Sequence, residues 1–109
     1  MREGASGASR PRCLAVMNVG VLQVELMIPG AQSLKDKRHV VKSVLDRLRG
    51  SFNVSAAEID HQDLHQRAML GFAAVSNDAK YANGLLQQIL NHLRRHPEAQ
   101  VIDHQIEVL

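Results

Sequence analysis

The chain has no tryptophan, one tyrosine and two phenylalanines, a single cysteine and only three prolines among its 109 residues. Each scarcity closes a class of function. One cysteine, Cys13, cannot form an intrachain disulfide and leaves nothing that resembles a cysteine metal site. No apolar run approaches the roughly 20 residues that cross a bilayer, so no membrane partner is expected. The segment before Met17, rich in Gly, Ala, Ser and Arg, holds an apolar stretch (Cys13 to Val16) too short for a signal peptide. These readings place the protein in the cytoplasm, with residues 1–16 as a disordered tail and residues 17–109 as one domain.

The net charge of +2 conceals a concentration of basicity: Lys35 to Arg49 holds six cations against Asp36 and Asp46, whereas Ser51 to Leu109 carries seven acids against four cations. Local basicity of this kind concerns partners rather than fold.

Periodicity organises the rest. Leu22, Val24, Leu26 and Ile28 alternate with Val21, Gln23, Glu25 and Met27, the period of a strand, which Pro29-Gly30 ends. Ser33 with Asp36 three residues on reads as a capping box opening a helix from Ser33 to Arg49. Leu34, Val41, Val44, Leu45 and Leu48 form its apolar face, and Gly50 is its expected stop. Phe52 to Ile59 and Ala68 to Val75 read as strands joined by the polar loop Asp60 to Arg67. Ser76-Asn77-Asp78 offers caps for a second helix, with Tyr81, Leu85, Ile89 and Leu93 recurring every four residues and Pro97 lying beyond its end. Val101 to Val108 alternates as a last strand.

The order β-α-β-β-α-β is the split βαβ of an α+β ferredoxin-like domain, a four-stranded antiparallel sheet with two helices on one face. Right-handed crossovers place the first and third strands centrally. The opposite sheet face, carrying the Val21, Gln23, Glu25, Met27 set or its alternate together with Met69, Ala73 and Val75, would be partly apolar. Such a face points to a homo-oligomer.

With these segments placed, the wording of the chain is informative. Val19-Gly20-Val21-Leu22-Gln23-Val24-Glu25-Leu26, Pro29-Gly30, Ser33-Leu34-Lys35-Asp36-Lys37-Arg38, Phe52-Asn53-Val54-Ser55, Asp60-His61-Gln62-Asp63 and Ser76-Asn77-Asp78 resemble the YlxP-like family of small bacterial proteins, also called domain of unknown function 503. The resemblance runs from about Asn18 to Leu109. It implies a ferredoxin-like fold, no established activity and no catalytic residues to carry over. The genomic neighbourhood of the family, beside translation initiation and ribosome maturation factors, implies a role near ribosomal RNA. His65 stands where related sequences usually have tryptophan, which argues against a ligand or catalyst there.

The candidate chemistry lies in two regions. On a helical wheel Arg38, Arg49, Lys42 and Lys35 fall in a stripe about 60° wide beside the apolar face. With Lys37 and the amides near Ser33, this stripe is a candidate anion or nucleic-acid surface. Cations in the first turn oppose the helix dipole, a local conflict that marks a place to look for function. The alternative is a solvated face partnered by Asp36 and Asp46. Gly30 to Lys35 lacks the second glycine and the Gly-Lys-Ser/Thr ending of a phosphate-binding loop of nucleotide hydrolases. The second region is the loop, with Asp60, His61, Asp63 and Arg67. No spacing there fixes a metal-ligand set, and the His92/His96 pair is better explained by the helix C-terminus, so neither metal nor cofactor is expected. Base stacking on the sheet is disfavoured because the first strand has no aromatic residue.

The reading is a nonenzymatic accessory protein facing RNA or the ribosome through its first helix. Two others stay open: an anionic small-molecule binding module or enzyme using residues 33–38 and the 60–67 loop, and a protein-binding oligomer.

Overall fold

The computed structural model describes residues 14–109. Six elements follow one another: strand Asn18–Met27 (β1), helix Leu34–Ser51 (α1), strand Ser55–Asp60 (β2), strand Arg67–Ser76 (β3), helix Ala79–Arg94 (α2) and strand Gln100–Val108 (β4). The reading of residues 1–16 as a tail falls mainly on residues 1–13, outside the described residues; Leu14 to Val16 are exposed.

The sheet runs β2-β3-β1-β4, with every neighbour antiparallel. The first and third strands are central, as right-handed crossovers require. Leu22, Val24 and Leu26 of β1 and Ala68 and Leu70 of β3 are wholly buried beneath the two helices, so one sheet face forms the core. Each such leucine, once buried, contributes about 1.5–3 kcal/mol. This is the ferredoxin-like arrangement. Val21, Gln23, Glu25 and Met27 lie on the other face, where Val75 is 64% exposed and Ile59 45% exposed.

Two local departures from the sequence pattern have physical causes. Helix α1 continues through Gly50 to Ser51, and no glycine among the described residues adopts positive φ. The turn is closed instead by extended Phe52, whose backbone N–H donates to the Leu48 carbonyl at 2.9 Å, and the strand that follows starts at Ser55 rather than Phe52. In α2 the buried stripe is Ala82, Leu86, Ile89, Leu90 and Leu93, whereas Tyr81 is 62% exposed. The stripe is turned toward Ala82 because α2 crosses β1 at Gly20: a Cβ at Gly20 would stand 2.9 Å from Leu86 Cδ1 and 3.4 Å from Ala82 Cβ. A tyrosine ring could not occupy that gap.

Candidate functional site

The start of α1 is capped by a variant of the capping box, in which Asp36 reaches back to the residue before the cap rather than to the cap itself. Ser33 is extended, its Oγ accepts the Asp36 N–H at 3.1 Å, and Asp36 Oδ2 accepts the Gln32 N–H at 3.0 Å. A carboxylate of the chain itself thus sits at the positive end of the helix dipole. Ser33 acts as a cap, and any anion bound here depends on side-chain cations more than on helix amides.

Lys37 is not one of those surface cations. Its side chain is 0% exposed. Its ammonium donates to Glu58 Oε2 at 2.8 Å, to the His61 carbonyl at 2.7 Å and to the Arg67 carbonyl at 3.2 Å. All three ammonium donors are therefore matched, the condition under which a buried charge is tolerable. Lys37 ties α1 to the end of β2 and both ends of the following loop, so the two candidate regions meet through it.

The loop is organised around that contact. His61 has φ of 64°, the left-handed region that a non-glycine residue seldom occupies. Asp60 Oδ1 accepts the His61 N–H at 2.7 Å, and the His61 carbonyl also receives the Leu64 N–H at 3.0 Å. On the open sheet face, His61 Nε2 lies 3.3 Å from Glu25 Oε2, which also accepts from Arg67 Nη1 at 2.9 Å. Gln66 Nε2 donates to the carbonyls of Pro29 and Ala31, clamping the loop against the β1–α1 turn. Asp63 is exposed. Among the described residues no three His, Cys, Asp or Glu side chains are grouped to hold a metal ion. Glu58, Gln66 and Glu25 escaped sequence reasoning, because their partners lie 21 or more residues away.

Four of the five remaining lysines and arginines of α1 fall into two pairs, Arg47 standing apart. Lys42 donates to Asp46 Oδ2 at 2.7 Å, and Arg49 lies 3.4 Å from Asp46 Oδ1 while its Nη2 donates to the outlying carbonyl of Ala56. The hydrogen bond from Lys42 lowers the Asp46 carboxyl from its ordinary value; desolvation opposes it, and the charges of Lys42 and Arg49 add to the lowering. Lys35 and Arg38 are exposed and have no ion-pair partner among the described residues. With Lys42 and His39 they line a cleft of about 700 Å³ to which Ile28 to Ala31, Asp36, Pro97 and Glu98 also contribute. His39 and Glu98 were not foreseen; the turn after α2 reaches this cleft only in the tertiary fold. No helix among the described residues is long and apolar enough to cross a membrane.

Comparison with known proteins assigns the family. The family model described as protein of unknown function (DUF503) matches residues 19–106. The uncharacterised protein YlxP of Bacillus subtilis (strain 168) is 41% identical over 80 residues, covering 73% of this chain and 87% of that protein. The chain belongs to the DUF503 family.

Proposed function

We propose that the protein is a nonenzymatic accessory factor that binds the phosphate backbone of RNA through the exposed cations of α1. The observation that carries this reading is the cleft in which Lys35 and Arg38 stand without an ion-pair partner among the described residues beside Lys42. The side chains reach solvent, lie along one helix and present charge without aromatic platforms, which favours backbone over base recognition. Lys37 serves this surface indirectly, by anchoring α1 to the loop.

Changing Lys35, Arg38 and Lys42 together to Gln should weaken binding of a mixed-sequence single-stranded RNA by about 100-fold at about 0.1 M salt and flatten its salt dependence, as counterion release predicts for three lost phosphate contacts. Asp46→Asn should do the reverse and tighten binding, because it frees Lys42. Fluorescence anisotropy over a salt series reads both. Unchanged affinity and slope in the triple variant would reduce these cations to an ordinary solvated surface. A stoichiometric small anion copurifying with the protein would favour the small-molecule reading instead.

The open sheet face supports a second proposal, self-association, on the exposure of Val75 and Ile59 beside Val21, Met69 and Ala73. Sedimentation at micromolar concentration should find a dimer or larger species that Val75→Asp dissociates. A monomer throughout that range would overturn it.

A further inference from the structure

We propose that the RNA-binding surface does not end on α1 but continues into a second cleft at the C-terminal end of α2, so that its ligand is a polyanionic strand and not a single phosphate compound. The inference rests on the reading of α1 given above and extends it. The second cleft, of about 160 Å³, is bordered by Arg47 of α1 and by His92, Arg95 and His96 of the end of α2, with Leu48 and Leu93 among its walls. Pro97 borders both clefts, so the two adjoin there.

Charge distinguishes the combined surface from either half. The first cleft holds Lys35, Arg38 and Lys42 but also the carboxylates of Asp36 and Glu98, and Lys42 is shared with Asp46. Taken alone it is a weak place for a multiply charged anion. The second cleft contributes two arginines and two histidines and no acid. A helix C-terminus accounts for basic residues on α2 by itself. It does not account for Arg47, which comes from the other helix to the same cleft. The planar guanidinium groups of Arg47 and Arg95 suit phosphate oxygens in particular, since each can donate two parallel hydrogen bonds. A strand with one charge per nucleotide can occupy adjoining clefts at once; a mononucleotide fills one.

The test compares three variants of the full chain binding a labelled mixed-sequence RNA of about twenty nucleotides across a salt series: Lys35→Gln with Arg38→Gln and Lys42→Gln, Arg47→Gln with Arg95→Gln, and a control, Lys80→Gln with Arg94→Gln. The control removes the same charge as the second variant from exposed positions that border neither cleft. Arg47 and Arg95 are exposed too, and circular dichroism should show all variants folded. Losing the Arg47 and Arg95 contacts should weaken binding about 25-fold at about 0.1 M salt and lower the salt slope by about 1.4, whereas the control should change little. Binding should also tighten from a mononucleotide to an oligonucleotide of about ten residues.

If the α1 variant weakens binding and the Arg47/Arg95 variant behaves as the control does, the second cleft is excluded while the α1 reading stands. If neither variant differs from the control, both fall. Binding that is insensitive to RNA length, or that polyglutamate displaces as readily as RNA at equal charge, overturns the assignment to a nucleic-acid strand.

Discussion

Lys37→Met should destabilise the folded state by about 3–5 kcal/mol, toward the lower figure because Glu58 keeps some contact with water. The methionine fills the volume but leaves Glu58 with a half-buried, unpaired carboxylate and removes a donor from the carbonyls of His61 and Arg67. The loss should appear as a lower midpoint in urea unfolding with little change in slope. A second substitution, Glu58→Leu, should return part of the stability lost in Lys37→Met, since an apolar pair replaces an ion pair better than half of one does. The coupling between the two positions would then be favourable and larger than about 1 kcal/mol. If Lys37→Met unfolds within about 0.5 kcal/mol of the parent, a range usual for surface positions, the buried contact has been misassigned.

A comparably large effect is expected where α2 crosses β1. Leu86 is 0% exposed and stands against the space that a Gly20 side chain would fill. Leu86→Ala should cost about 2–5 kcal/mol, the lost transfer energy plus the cavity left behind. Gly20→Ala should cost about 1–3 kcal/mol by overpacking, because the new Cβ forces the end of the Leu86 side chain to shift inside a closed core. The two changes are complementary in shape. In the Leu86→Ala background the added methyl meets free space, so Gly20→Ala should become nearly neutral or stabilising, and the double variant should be more stable than the sum of the singles predicts. Thermal or urea unfolding of the four proteins measures this directly. Strict additivity would show that the close approach of α2 to Gly20 is relieved by backbone adjustment, not by side-chain space.

How far the candidate site could be read in advance is clearest at Lys37. Its spacing to Val41, Val44 and Leu48 is that of one helical face, a signal by which its burial could have been found although residue type groups it with the surface cations. The first-turn charge conflict was also visible. Grouping Lys37 with Lys35 and Arg38 as one anion surface followed from residue type, and residue type says nothing of Glu58, which lies 21 residues away and reaches Lys37 only after β2 is paired in the sheet. The capping box differs because its partners are three and four residues apart, and it was legible for that reason.

The same division runs through the whole molecule. Periods of two and of three to four residues, the Pro29-Gly30 break and the caps at Ser33 and Asp78 determined the elements and their order, and the handedness of crossovers then determined the strand order. These are local interactions, or a chirality rule acting on them. Tertiary packing alone decided that Gly20 turns the buried stripe of α2 to Ala82 and Leu86, and that Lys37 is a buried anchor while Lys35 and Arg38 reach solvent. It also brought Arg95 and His96 beside Arg47. In each case the deciding partner is distant in the chain, and the energies of burial and pairing exist only once the sheet and helices have met.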